Sequence, residues 1–247
     1  MARTPNNLPV ALTAFIGRRS ELDRLHDLLR SHRLVTVMGS AGCGKSRIAF
    51  QAAADAATDF QDGVWVVEMA AVTEPALVAK TVAETLGVSQ LPGLGDAESV
   101  AAALGDRRVL LVLDNCEHVA PAVAELCGVL LRSAPGLRVL ATSRQTLHAE
   151  GETAWGLPSL SLPAPGATDL DEYAGSDAVA LFVDRARLVQ PDFALDAVSA
   201  KAVGALCRRL DGIPLAIELA AARVRVLGVE DLLVRLDDRF AVLVSSG

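Results

Sequence analysis

The run VTVMGSAGCGKSRIA, Val35 to Ala49, leaves a chain few ways to fold around it. Gly39, Gly44, Lys45 and Ser46 fit G-x-x-x-x-G-K-[ST]. An apolar stretch precedes the loop, and KSRIAFQAAADAA, rich in strong helix formers, follows it. The order is strand, loop, helix. Glycines let the backbone close around a phosphate without Cβ clashes. Successive N–H groups then point at the anion, helped by the positive end of the following helix. In that pattern Lys45 reaches the β- and γ-phosphates and the Ser46 hydroxyl sits on Mg²⁺. Ser40, Ala41, Gly42, Cys43 and Arg47 complete the expected phosphate lining. Cys43 stands near a helix N-terminus and reads as a small, variable loop residue. Of the 23 basic residues only Lys45, Lys80 and Lys201 are lysines, and one of them fills the required slot.

Around this loop the chain alternates strand and helix signals. RRSELDRLHDLLRSH places Leu22, Leu25, Leu28 and Leu29 on one helical face. Strands are expected at RLVTVMG, GVWVVEMA, RRVLLVLDN and LRVLATSR, with a short fifth at TAWGLPSL. Helices are expected at EPALVAKTVAETLGV, between Pro75 and Gly87, and at VAPAVAELCGVLLRSAPG. Strands that are apolar throughout are typical of a buried parallel sheet. The rhythm stops at LPAPGATDLDEYAGS, read here as a linker. Beyond it only helices are expected. Val179, Phe182, Val183, Ala186 and Val189 form one stripe, and Val203, Leu206 and Leu210 another. Pro214 opens a helix, where proline is tolerated, and EDLLVRLDDRF is a last one. The expected fold class is an α/β P-loop NTPase sheet of about five parallel strands (residues 1–165), then a small all-helical domain (166–247).

Asp114 ends VLLVLD, at the carboxyl end of a buried strand, where open α/β sheets bind ligands. A Mg²⁺-holding role fits it; a helix cap or loop acid is the alternative. A full strand and helix separate Asp114 from the phosphate loop. This fits the hydrolase branch that inserts a strand between the two motif strands. Asn115 follows, where many such hydrolases carry an acid. An amide positions water but cannot take its proton, which argues for slow hydrolysis. Glu117 can substitute, or can be an acid favoured at a helix start. Arg144, after VLATS, can sense a γ-phosphate and stabilise transition-state charge, or lie idle on the surface.

Bulk properties remove several function classes. The formal net charge is −7, and no Lys/Arg run marks a nucleic-acid face. RRSELDR and CRRLDG mix acids with bases and read as solvated helix faces. No apolar run is long enough to span a bilayer, and the N-terminus has no signal-peptide core. Four scattered cysteines and four histidines show neither paired nor metal-ligand spacing. A cytoplasmic location with reduced thiols is expected.

FIGRRSEL, GSAGCGKS, VLLVLDNCEHV, VLATSR and DGIPLAIELAAAR, in this order, resemble the nucleotide-binding module of signal-transduction ATPases with numerous domains. NB-ARC proteins are among them. The likeness is greatest to the modules inside actinobacterial transcriptional regulators of the SARP and LuxR types. It implies an ATP/ADP-binding switch with slow Mg²⁺-dependent hydrolysis, or alternatively a nucleotide-binding scaffold without hydrolysis. It assigns Ile16, Gly17, Arg18 and Glu21 to the segment that packs on adenine, Pro214 to the base from the helical side, and Arg144 to the sensor role. Lys45, Asp114, Asn115 and Arg144 become the catalytic set, with Ser46 and Asp114 on the metal. Expected partners are the nucleotide, further domains of a parent protein and a second copy in the ATP state; neither nucleic acid nor membrane is expected. Family members continue into a winged-helix domain whose histidine contacts ADP. The chain stops before such a segment, so an excised core without winged-helix or effector domains is expected.

Overall fold

The computed structural model describes residues 4–244, with side chains described as far as residue 236. The chain forms two compact units. The first comprises the N-terminal segment up to Ala14, then Arg19–Ala41 and Lys45–Leu157. The second comprises Phe15–Arg18, Gly42–Gly44 and the chain from Pro158 onward.

The first unit is built on β1 (Leu34–Met38), β2 (Gly63–Glu68), β3 (Val109–Asp114), β4 (Arg138–Ser143) and β5 (Glu152–Gly156). All pair in parallel, in the order β2-β3-β4-β1-β5. The three inner strands, β1, β3 and β4, are almost wholly buried, which is why they read as unbroken apolar runs. Helices α1 (Arg19–Ser31), α2 (Lys45–Asp55), α3 (Val78–Leu86), α4 (Asp96–Leu104) and α5 (Ala120–Ser133) accompany the sheet. Leu111, Leu113, Val123, Leu130 and Val139 lie within one core cluster.

Two details differ from the sequence reading. The helix expected from Glu74 begins as a 3₁₀ turn, Pro75–Leu77, before α3, and closes on left-handed Gly87 at φ 66°. Helix α4 was not anticipated; Val100, Ala101 and Leu104 bury its apolar side. As the sequence reading expects, a strand is inserted between β1 and β3 in the sheet; it is β4, and β2 lies at the edge.

At the opposite end of the strands two arginines close helix ends. Arg33 Nη2 donates to Ala134 O at 2.5 Å, beyond α5, and Arg138 Nη1 donates to His32 O at 2.6 Å, beyond α1. Cations suit helix C-termini because orphan carbonyls and the negative dipole end meet there. Burial, with Arg33 and Arg108 nearby, holds Arg138 below the usual arginine range.

The second unit contains α6 (Leu170–Ala174), α7 (Asp177–Val189), α8 (Ala197–Arg209), α9 (Pro214–Ala221) and α10 (Val229–Val244). Val179, Phe182 and Ala186 of α7 pack with Val203 and Leu206 of α8 and Ile217 of α9. Phe182 and Phe193 meet edge-on at 5.9 Å. The expected linker is more ordered than its prolines imply. It carries α6 behind a capping box of Asp169 and Glu172, and buried Tyr173 donates its hydroxyl to Ala167 O at 2.7 Å.

Candidate functional site

The phosphate-loop motif lies between β1 and α2, as its spacing predicts. Gly42 and Gly44 take φ of 76° and 92°, the left-handed region where a Cβ is strained. Because α2 begins at Lys45, the N–H groups of Lys45, Ser46 and Arg47 belong to a first helical turn, whose donors lack intrahelical acceptors. Lys45 is buried, and its Nζ donates to Gly39 O at 2.9 Å and Ser40 O at 3.0 Å. The ammonium is thus folded over the carbonyl side of its own loop. Arg47 turns elsewhere: its Nη2 donates to Thr13 O at 2.9 Å and Ala14 O at 2.5 Å. Its guanidinium ties down the N-terminal segment, which leaves its backbone N–H as its group suited to a phosphate.

The register brings the other first-unit candidates to the same sheet edge. Met38 pairs with Ser143, so Gly39 and Arg144 follow neighbouring strand ends. Leu113 pairs with Ala141, which levels Asp114 with Thr142. Thr142 Oγ1 donates to Asp114 Oδ1 at 2.5 Å and accepts from Asn115 N at 2.9 Å. Asn115 is left-handed at φ 65° and ψ 51°, a conformation asparagine tolerates better than most residues. The chain then makes a 3₁₀ turn, Cys116–His118, in which Glu117 accepts from Arg144 Nε at 2.9 Å. Glu117 Oε2 is buried and, among the described residues, has no hydrogen-bond partner. Burial pushes the neighbouring Cys116 thiol well up.

In the second unit, Gly17 and Arg18 are both left-handed. A Cβ on Gly17 would stand 2.3 Å from Asp177 Cγ, so the FIGR segment passes tight against the start of α7. Asp177 Oδ2 accepts from Arg18 N at 3.0 Å. The Arg18 side chain is buried, against the solvated face read from RRSELDR, and Nη2 donates to Cys43 O at 2.7 Å. Ile16 packs on the helical core. Leu215 N donates to Gly42 O at 3.2 Å, and Pro214 Cγ would lie 3.8 Å from a Cβ on Gly44. Glu21 lies in the first turn of α1.

Sequence reading did not find Thr142, Asp177 or Leu215. Thr142 and Asp177 act through partners far along the chain, and Leu215 acts through a backbone N–H that no side chain announces. The arrangement suits a polyphosphate: orphan N–H groups, two left-handed glycines and a buried ammonium already bonded to loop oxygens. Among the described residues no cluster of three or more His, Cys, Asp or Glu is placed to hold a metal ion. A hydroxyl and a carboxylate, the groups that Ser46 and Asp114 carry, are oxygen donors of the kind hard cations take. Among the described residues no helix is long and apolar enough to cross a membrane.

Comparison with known proteins agrees with this geometry. The NB-ARC domain model matches residues 18–152, more than half of the chain. An uncharacterised protein of Mycobacterium tuberculosis is 44% identical over 235 residues, which cover 95% of this chain and 57% of that protein. A second protein of that species, named as an HTH-type transcriptional regulator, is 45% identical over 216 residues, covering 87% of this chain and 23% of its own length. The chain thus spans just over half of the first relative and under a quarter of the second. Among solved structures, the signal-transduction ATPase with a tetratricopeptide repeat sensor from Pyrococcus horikoshii superposes with a TM-score of 0.53 at 17% identity. That match covers 85% of this chain and 30% of that one, a likeness of fold. The sheet order, the phosphate loop and the family match agree, and the chain belongs to the NB-ARC domain family.

Proposed function

We propose that this chain is an ATP/ADP-binding switch that hydrolyses ATP slowly with Mg²⁺ and regulates a larger signalling or transcriptional protein. The observation that carries the reading is the Gly39–Ser46 loop, with left-handed Gly42 and Gly44 and the buried Lys45 ammonium. In this reading Gly39, Ser40, Ala41, Gly42, Cys43 and Gly44 surround the phosphates with backbone. Lys45 exchanges its loop carbonyls for β- and γ-oxygens. The Arg47 N–H adds to the helix-start donors. Ser46 and Asp114 hold Mg²⁺, which neutralises charge on the phosphate oxygens when bound. Ile16, Gly17, Arg18 and Pro214 are proposed to surround the base, and Arg144 to sense the γ-phosphate. Residues 1–165 are the nucleotide-binding part and 166–247 the helical part. Self-association in the ATP state and a cytoplasmic location belong to the same proposal. A γ-phosphate shifts a two-state equilibrium only through contacts made in one state, and Arg144 supplies such a contact.

The scaffold reading, binding without hydrolysis, draws on Asn115, whose amide takes no proton from water. One experiment separates the two. Nucleotide released from the denatured protein is identified, and phosphate release from ATP is followed for wild type and Lys45→Ala. Bound ADP with slow, Lys45-dependent phosphate release is expected. Binding with no release above the Lys45→Ala background would leave the scaffold. Undiminished nucleotide affinity in Lys45→Ala would overturn the site itself.

A further inference from the structure

We propose that Glu117 is the carboxylate that orients the attacking water and takes its proton, and that Arg144 holds it out of use until a γ-phosphate draws the guanidinium away. The inference rests on the nucleotide-hydrolysing reading above.

Four observations converge on the pair. Arg144 Nε stands 2.9 Å from Glu117 Oε1. The Glu117 side chain is only 17% exposed, against 63% for Arg144. Glu117 Oε2 is buried without a hydrogen-bond partner among the described residues. Asn115, left-handed between Asp114 and the turn that carries Glu117, has no carboxylate, and Glu117 is the first one after Asp114. A buried carboxylate oxygen with no donor is unfavourable, and native structures keep few of them. Arg144 holds the other oxygen, Oε1, so its departure leaves the carboxylate free to accept a proton. Its partner is the more exposed member of the pair. Arg144 follows Ser143, the register partner of Met38, and Met38 leads into Gly39. The guanidinium therefore springs from the strand end beside the phosphate loop and can reach either the carboxylate or an arriving phosphate.

The chemistry balances without another reactant. Water oxygen forms a bond to the γ-phosphorus while its proton passes to Glu117 Oε1, the oxygen that Arg144 has released. The bond from that phosphorus to the β,γ-bridging oxygen breaks, and the bridging oxygen keeps the electron pair and leaves as ADP. Glu117 then returns the proton to solvent. Until the γ-phosphate engages Arg144, the ion pair keeps Glu117 oriented toward the cation, which is a structural source of slow turnover.

The test has an equilibrium arm and a kinetic arm. ADP and a non-hydrolysable ATP analogue are titrated with Mg²⁺ into wild type, Glu117→Gln and Arg144→Ala. If the carboxylate and the γ-phosphate compete for one guanidinium, Glu117→Gln binds the analogue about two- to fivefold tighter, the range of a partly exposed ion pair, with ADP unchanged. Arg144→Ala loses the analogue's advantage and also leaves ADP unchanged, which certifies both folds. In single turnover Glu117→Gln hydrolyses ATP about a hundredfold or more slower than wild type, while Glu117→Asp keeps measurable activity. Hydrolysis at the wild-type rate in Glu117→Gln overturns the proton-acceptor role. Equal shifts for ADP and the analogue, or no shift, overturn the competition. A wild type that binds both nucleotides and releases no phosphate also overturns the role of Glu117 while leaving nucleotide binding intact. A wild type that binds neither nucleotide defeats the underlying reading instead.

Discussion

Thr142 fixes Asp114 from the neighbouring strand: its hydroxyl donates to Oδ1 at 2.5 Å while it accepts the Asn115 N–H at 2.9 Å. Thr142 is fully buried, so neither bond has water as an easy replacement. Thr142→Val keeps the shape and removes both. About 1–3 kcal/mol of stability should go with the stranded donor. More tellingly, Asp114 loses its orientation. Partners that orient a metal ligand typically matter tenfold to a hundredfold in metal affinity. We expect the Mg²⁺ concentration needed for half-maximal ATP binding to rise about tenfold in titrations of the variant. An unchanged Mg²⁺ requirement would reduce Thr142 to a packing residue.

Lys45→Ala tests the loop. The lost charged hydrogen bonds to phosphate correspond to about 1.5–3 kcal/mol, or roughly tenfold to a hundredfold in nucleotide affinity. Without nucleotide the variant forfeits only two bonds to loop carbonyls. Its melting temperature in nucleotide-free buffer should therefore stay within a few degrees of wild type, while the rise produced by added ATP disappears.

Gly212 and Gly87 form a matched pair. Their φ values are 63° and 66°, so alanine carries a similar backbone strain at each. A Cβ at 212 would stand 2.6 Å from Leu160 O, whereas one at 87 meets nothing within 4 Å. Gly87→Ala should cost about 1 kcal/mol and Gly212→Ala about 2–4 kcal/mol in denaturant unfolding. Equal costs would show that Leu160 moves aside freely.

Burial pushes the thiols of Cys127 and Cys207 up to about 12 and that of Cys116 up as well. The native fold thus holds these protons beyond the ordinary thiol value of 9.0. A raised pKa means stability that is complete below about pH 9 and lost as pH climbs toward 12. Native protein at pH 8 should leave these three thiols unmodified by iodoacetamide over minutes, and denatured protein should expose them all. Cys127→Ala should flatten the fall of the urea midpoint between pH 9 and pH 11; an identical fall would place its cause elsewhere.

The strands and the phosphate loop were legible because their signals are local. An apolar run, a glycine pattern and a helix former lie side by side from Val35 to Ala49. Helix α4 was missed because its first turn, Asp96 to Ser99, is acidic and polar, and its buried side offers only Val100, Ala101 and Leu104 as apolar residues. Helix α6 had a readable start, Asp169 with Glu172 three residues on, masked by Pro163, Pro165 and Gly166 just before it.

What the sequence could not disclose was non-local pairing. The Arg144–Glu117 ion pair spans two strand ends, and Arg18 reads as one more charge in a charged helix start until Cys43 O is placed against it. That β4 is the strand between β1 and β3 is of the same kind, since order along the chain does not fix order in a sheet.

That strand order also sets a timetable for synthesis. A ribosome releases the whole Gly39–Ser46 motif early, but β1 pairs with Arg138–Ser143 and Glu152–Gly156, both made about a hundred residues later. Sheets assembled from such distant segments form slowly, because a long loop must close before any contact rewards it. The nascent loop thus has the residues to grip a nucleotide long before it has a strand to stand on. Capture of the nucleotide becomes a late event of biogenesis, completed only when the chain has grown past Gly156.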